Sequence, residues 1–506
     1  FNKKPKRRLN MRVRQGIERI VFIEPRPPSE HVFKRMPLPR LGTVILGTIL
    51  KNRGYEVTIF VESIQRINFK KLLSADAVGI STTTSTAPRA YEIAALLKGK
   101  VPVFMGGPHV TYLPDEALKY CNYVVRGEAD DCIVDFIQAL ENGGGFENIP
   151  GLSYRKKRGV IHNSVPATCK DLDKLPCPDF SLIAGLEGDY AKKLNITPVM
   201  TSRGCPYDCS FCSVTGMFGQ KYRFRSNERV MEELWRNKKH NGKWVFFYDD
   251  NFCANKTRTK ELLREMIREG VTPRWTAQVR VDVAKDPELL DLMMQSGCHT
   301  VYIGFESVNP ETLKAYNKKQ SVDDIRECIK ELHKRGIRIH GMFVFGSDQD
   351  TIHTIRETVA FAKKNKLNSV QFLILTPLPG TRCYLELTEQ KRIINTDWSL
   401  YDTHHVVFQP MRMTPYELQQ GTVDATKAFY SLWPIVRRVI SFDLFGASIK
   451  TYGYSLARKW ERDNQHFIDY TKQIPYAGKA FELAARKTAE DMKQRFFAHF
   501  HNTPGK

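Results

Sequence analysis

Three cysteines stand close together in the run Gly204-Cys205-Pro206-Tyr207-Asp208-Cys209-Ser210-Phe211-Cys212-Ser213. Thiolates are soft ligands that hold iron or zinc. A closed structural zinc site takes four protein ligands, usually as two separated pairs, and the sequence offers no evident fourth. Three clustered thiolates at Cys205, Cys209 and Cys212 suit a 4Fe–4S cluster with one iron left open for another molecule. The rest of the 11 cysteines are scattered between Cys121 and Cys383 and form no disulfide framework. A reducing cytoplasm is the expected location.

Other polar groups cluster where apolar runs stop. Ala77–Ile80 runs into the hydroxyls Ser81, Thr82 and Thr83, and Val101–Met105 into Gly106-Gly107-Pro108-His109-Val110. Tyr123–Val125 is followed by Arg126-Gly127-Glu128, and Trp244–Tyr248 by Asp249-Asp250-Asn251. Gln278 and Arg280 lie two apart in Arg274–Val281, which as a strand would turn both to one side. Thr300–Phe305 ends at Glu306. Paired glycines let a planar group or a second backbone approach closely. Strand-end carboxylates suit a cationic partner, and an arginine suits a carboxylate.

Each of these runs has the length and apolar character of a strand, and helical stretches separate them. In the first part, strands over Arg19–Pro25, Val57–Phe60, Ala77–Ser81, Val101–Met105 and Tyr123–Val125 alternate with helices such as Leu41–Asn52 and Ala87–Leu97. That alternation implies a doubly wound parallel sheet, with ligands expected outside the carboxyl ends of its strands. Gly-x-Gly-x-x-Gly is absent after the first strand, which disfavours a dinucleotide fold. Residues 141–190, with Asn142-Gly143-Gly144-Gly145, a basic hairpin near Lys156–Gly159 and the proline-spaced 175–179, read as a linker. From Thr197 a second series of six strand–helix repeats predicts a partial (β/α)6 barrel of TIM type, open on one side. Thr414 as cap, Pro415 at the first position and Glu417 three later begin a helical C-terminal region, with further helices over 449–464 and 477–500. The expected architecture is α/β throughout: a Rossmann-like domain 1–140, a linker 141–190, a barrel 191–410 and a helical domain 411–506.

The cysteine spacing resembles the signature of the radical S-adenosylmethionine (SAM) enzymes. The loops at Ser81–Thr83 and Gly106–Gly107 resemble those that flank the nucleotide tail in cobalamin-binding domains. Together, over roughly residues 15–440, the chain resembles the cobalamin-dependent radical SAM methyltransferases. The resemblance implies a cluster on Cys205, Cys209 and Cys212, SAM contacts at Phe211, Asp249, Asp250, Asn251, Gln278, Arg280 and Glu306, and cobalamin contacts at Ser81, Thr82, Thr83, Gly106, Gly107, Pro108, His109, Val110, Gly127 and Glu128. It also implies the chemistry: one electron cleaves SAM to a 5′-deoxyadenosyl radical, which removes hydrogen from an unactivated carbon that methylcobalamin then methylates. Two departures stand out. Asp249-Asp250-Asn251 replaces the family's usual Gly-Gly-Glu, and Glu24–His31 lacks the Asp-x-His-x-x-Gly whose histidine ligates cobalt.

The net charge of +22 suits an acidic protein, an anionic membrane surface or nucleic acid, but no nucleic-acid-binding motif is present. No apolar run approaches the ~18 residues of a membrane span. A one-electron reductant such as ferredoxin or flavodoxin is the implied partner. For the substrate, the expectation leans to a polypeptide side chain, as in the archaeal enzymes that methylate a glutamine of methyl-coenzyme M reductase. A lipid or other small molecule, or a non-methylating oxidative cyclisation, is the alternative.

Overall fold

The computed structural model describes residues 16–28, 38–157, 159–164, 168–188 and 190–476. His31 and the helix expected over 477–500 lie outside them.

The first sheet contains β1 (Arg19–Glu24), β2 (Glu56–Val61), β3 (Ala77–Ser81), β4 (Val103–Gly106), β5 (Tyr123–Val125), β6 (Leu152–Lys156) and β7 (Gly159–His162). Its order is β2-β1-β3-β4-β5-β6-β7, with β1 to β5 parallel and β6 and β7 antiparallel. The parallel strands are short, almost unbroken apolar runs because helices cover both faces. The order reverses between β1 and β3, the switch point at which an open sheet offers a crevice.

The expected linker proves to be part of this domain. Residues 141–190 supply β6 and β7, and Leu172, Leu175, Phe180, Leu182 and Ile183 enter the same apolar core as Ile20, Phe22 and Ile59. The physical reason is that helix Leu41–Lys51 presents a face that needs covering, and the 172–186 segment covers it with only two single-turn 3-10 helices, Leu172–Lys174 and Phe180–Leu182: Leu182 reaches Gly47, and Asp179 accepts from Lys51 Nζ at 2.6 Å.

The second sheet is all parallel, in the order β15-β14-β13-β12-β11-β8, from β8 (Thr197–Val199), β11 (Trp244–Phe247), β12 (Arg274–Val279), β13 (Cys298–Glu306), β14 (Arg338–Phe345) and β15 (Ser369–Ile374). Between β8 and β11 a small antiparallel ribbon pairs β9 (Ser202–Arg203) with β10 (Arg223–Phe224). Capping boxes at Ser321, Thr351 and Thr414 start three of the surrounding helices.

The C-terminal region is helical as expected, and part of it joins the barrel core. Helix Pro415–Phe429 packs on β15, and Leu418, Ala425, Phe429, Tyr430 and Phe467 belong to the barrel core. The Tyr430 hydroxyl accepts from Val370 N at 2.9 Å and donates to Val370 O at 2.8 Å, satisfying an edge strand that would otherwise present bare backbone.

Candidate active site

The three cysteines lie on the loop that follows β9, between the two domains. Gly204 opens it at φ +87°, where a Cβ would stand 2.6 Å from Lys221 O, so only glycine fits the turn. The loop has no secondary structure of its own, and its backbone is satisfied by distant segments. Ser210 N donates to Tyr316 O (3.3 Å) and Ser210 O accepts from Cys383 N (3.1 Å). Asp208 O accepts from Asn317 Nδ2 (2.8 Å) and Arg382 Nη2 (2.9 Å). Phe211 packs edge-on against Tyr316, with ring centres 5.0 Å apart. The segments after β13 and β15 thus fix the shape of the cysteine loop.

Asp249 and Asp250 part company at the end of β11. Asp249 is buried and accepts from Thr201 N (2.9 Å), Thr201 Oγ1 (2.8 Å) and Ser202 N (2.6 Å). It ties down the turn between β8 and β9 and has no face left for a ligand. Asp250 is exposed in a cavity, where the surrounding protein and the neighbouring Asp249 charge raise its carboxyl to about 7. Its field acts on Cys205 and Cys212, whose thiols burial raises, the latter to about 12.

That cavity, of about 560 Å³, lies between the two domains. From the first come Arg40, Ser81, Thr83, Gly106, Gly107, Pro108, Gly127 and Glu128, and from the barrel Tyr248, Asp250, Gln278, Tyr302, Met342 and Gln371. Gly107, at φ +103°, brings its loop so near Thr82 that a Cβ would lie 2.3 Å from Thr82 O.

Several residues named from the resemblance sit elsewhere. Thr82 is fully buried, with N and Oγ1 donating to Gly106 O at 2.9 and 3.0 Å, and so joins the two loops. His109 is buried 3.2 Å from the Tyr91 hydroxyl and 3.5 Å from Glu116, and Val110 enters the core, because the short helix Pro108–Tyr112 turns both inward. Asn251 is buried, its carbonyl accepting from Tyr222 at 3.1 Å. Arg280 has left the strand; its guanidinium covers the Tyr207 ring at 3.7 Å and donates to Lys318 O. Glu306, at φ +62°, is buried against Lys318 Nζ at 2.6 Å. Arg280, Glu306 and Lys318 lie behind the cysteine loop and outside the cavity lining.

Glu128 lines the cavity but is heavily engaged. It accepts from Arg203 Nη1 (3.1 Å), from both terminal nitrogens of Arg223 and from Cys169 N (3.2 Å), while Asp130 accepts from Arg203 at 2.6 and 3.1 Å. Both arginines belong to the β9–β10 ribbon, so this buried cluster clamps one domain to the other. Tyr302, Met342 and Gln371 were not foreseen. The available signal was a large or polar residue among aliphatics on the inward alternation of β13, β14 and β15.

The donor chemistry fits the implied groups. Among the described residues no three of His, Cys, Asp and Glu close round one point as a single ion requires, whereas a multi-iron cluster takes its thiolates spread around it. The glycine-walled crevice at the sheet's switch point suits a large planar ligand. Among the described residues no histidine lines it.

Comparison with known proteins gives the same two-part chain. The B12 binding domain matches residues 35–137 and the Radical SAM superfamily residues 199–362. The uncharacterized methyltransferase PH0819 of Pyrococcus horikoshii is 32% identical over 421 residues, covering 80% of this chain and 91% of the relative. Bacteriochlorophyllide d C-12(1)-methyltransferase of Chlorobaculum tepidum is 30% identical over 411 residues, covering 80% and 84%. In fold the chain is similar to the radical SAM methyltransferase TsrM from Kitasatospora setae with cobalamin and a [4Fe-4S] cluster bound, at TM-score 0.66 and 18% identity over 88% of this chain and 100% of that one. It is similar also to OxsB with aqua-cobalamin bound, at TM-score 0.66 and 16% identity over 95% and 81%. The chain belongs to the cobalamin-dependent radical SAM methyltransferases, whose cofactors are a 4Fe–4S cluster, SAM and cobalamin.

Proposed function

We propose that this chain is a C-methyltransferase whose reacting centre is the cavity between its domains. The observation that carries the reading is the position of Asp250, which lines the same space as the Ser81, Gly106 and Gly107 loops and whose charge acts on Cys205 and Cys212. Cys205, Cys209 and Cys212 would hold the cluster; Asp250 and Gln278 would face SAM; Ser81, Thr83, Gly106, Gly107, Pro108 and Gly127 would cradle cobalamin. When bound, these groups supply the radical chemistry and the methyl group.

The protein's own part is placement and exclusion of water. Asp250 offers a carboxylate to the cationic amine of SAM, and Asp249 holds the turn from which the cysteine loop departs. Arg280 on Tyr207, with the Glu306–Lys318 pair behind it, keeps the loop in place, so these are positioning residues. No side-chain acid or base is needed at the reacting carbon. The bacteriochlorophyllide named for one relative favours a small molecule over the polypeptide expected from the sequence.

The test is the reconstituted enzyme under dithionite. Wild type is expected to release 5′-deoxyadenosine and to use two SAM for each new methyl group, and Asp250→Ala to bind SAM about tenfold or more weakly by loss of a charge-assisted contact. A product without a new methyl group would replace methylation by oxidative cyclisation. Unchanged SAM affinity in Asp250→Ala would remove the role given to that residue.

A further inference from the structure

A second chamber of about 560 Å³ fills the amino-terminal half of the barrel, below the reaction cavity and under the C-terminal helices. Tyr302 and Gln371 line both chambers and so form the wall between them. Among the described residues no Asp, Glu, Lys or Arg lines the lower one. Its polar edges are hydroxyls, amides and three histidines, His299, His340 and His404, all of which burial holds uncharged, His340 at about 4. Its mouth is aromatic: the Phe445 ring lies 4.9 Å from His299 and stacks on Trp244 at 6.4 Å. Such a chamber takes an uncharged, largely hydrocarbon body and rejects a charged one.

Beside this mouth an amphipathic helix faces the wrong way for a core element. In Leu432–Ile440 the apolar residues occupy one side and Pro434, Arg437 and Arg438 the other. The apolar side is turned to solvent, with Leu432 60%, Trp433 72% and Ile440 69% exposed, and Phe442 (89%) and Leu444 (68%) continue it to Phe445 at the chamber mouth. Contiguous apolar surface of this kind marks a contact with a partner or a membrane. Arg437 on the helix's flank, beside an Arg438 already paired with Asp443, and the net charge of +22 complement an anionic bilayer surface. Among the described residues no helix is long and apolar enough to cross a membrane, so the contact is with one leaflet.

We infer that the hairpin from Leu432 to Phe445 rests on an anionic lipid surface and passes an uncharged membrane lipid through the Phe445 mouth into the lower barrel chamber, where it is held for reaction. This rests on the proposed methylation for its chemistry, but its test does not. The reconstituted full chain is floated with vesicles of phosphatidylcholine alone and of phosphatidylcholine mixed with phosphatidylglycerol. Binding to the mixed vesicles is expected, with Trp433 fluorescence shifted to the blue. The double variant Trp433→Ser, Phe442→Ser, at two exposed positions, is expected to lower that partitioning ~10-fold or more, with 5′-deoxyadenosine release unchanged.

The neutral fluorophore N-phenyl-1-naphthylamine serves as the chamber probe, and Ser448→Trp, at an exposed lining position, as the block. Loss of probe binding in that variant supports entry by this mouth, and equal binding overturns it. Protein that ignores both vesicle types overturns the lipid contact. So does a dimer dissolved by the double variant, which gives the face to a second copy, or vesicle binding that emerges only when residues 477–506 are deleted, which gives it to the chain's own end. A wild type that binds vesicles and probe yet releases no 5′-deoxyadenosine fails the methylation reading and leaves this one standing.

Discussion

Glu128→Ala separates two roles that one carboxylate occupies. The side chain lines the reaction cavity, yet it accepts from Arg203, from both terminal nitrogens of Arg223 and from the Cys169 amide, and its side chain is 2% exposed. Removing it leaves Arg203 with Asp130 at 2.6 Å but leaves Arg223, 5% exposed, with no carboxylate. Breaking a buried pair by deleting one partner costs ~3–5 kcal/mol, because the other charge stays buried. At ~2–4 °C per kcal/mol for a unit of 150–250 residues, the melting temperature should fall by ~6–20 °C.

The cycle with Arg223→Met makes the claim specific. The double variant buries neither charge at that point, so its loss should be smaller than the sum of the single losses by ~1–3 kcal/mol. The assay is urea unfolding at one pH and salt concentration, with cobalamin absorbance measured on the same samples. If Glu128 is the clamp, Glu128→Ala is markedly destabilised while folded protein still binds cobalamin. A variant as stable as wild type that has lost cobalamin would refute the clamp and restore Glu128 as a ligand contact.

Three further outcomes follow from particular contacts. Cys209→Ala should abolish the iron–sulfur absorbance and SAM cleavage while cobalamin stays bound; loss of both together would mean that the two sites are not separable. Gly107→Ala forces a Cβ to 2.3 Å from Thr82 O at positive φ, which should cost ~1–3 kcal/mol of local strain and lower cobalamin retention, read by gel filtration and absorbance. Lys450 is buried over the Phe429 ring at 3.3 Å, and burial lowers its pKa from 10.5 to about 6. Between about 6 and 10.5 the unfolded chain therefore binds the proton that the folded chain lacks, so this residue's contribution makes stability rise with pH across that window. Lys450→Met should stabilise at pH 7 by ~1–4 kcal/mol, with the gain shrinking toward pH 10; denaturant titrations at several pH values check the slope.

Most of the fold was legible because parallel strands buried on both faces are apolar runs with little else in them. Ala77–Ser81 and the helix Ala87–Leu97 have the same bounds in the sequence reading and the structure. The segment 141–190 misled because its buried residues follow no period. Leu172, Leu175, Phe180 and Leu182 fill gaps in another element's surface, and a chain without periodicity reads as a connector whether it is solvated or buried. The helices of the C-terminal region were legible, but the union of the first with the barrel was not, for a related reason. Nothing local in Pro415–Phe429 tells that its apolar face completes a barrel rather than a bundle; that is decided by β15, whose Val370 backbone waits for Tyr430.

The site was legible as a set of strand ends and illegible in the direction each side chain takes there. Asp249-Asp250-Asn251 reads as one acidic motif, but successive residues leaving a strand point to opposite sides. Asp249 turns to the Thr201 and Ser202 amides, which a sequence reading has no reason to bring near it, and Asp250 turns to the cavity. The same alternation sends Ser81 and Thr83 to the cavity and Thr82 into its wall. A motif match therefore located the loops; parity separates Asp250 from Asp249 and Ser81 and Thr83 from Thr82, whereas Arg280, two residues from Gln278, parts from it because it lies past the end of β12. Asp250 and Gln278 fall in a first group, the candidates for ligand contact, and Asp249, Arg280 and Glu306 in a second, which holds the loop in shape. Substitutions in the second group should thus weaken cluster assembly and SAM binding together, whereas Asp250→Ala should weaken SAM binding with the cluster intact.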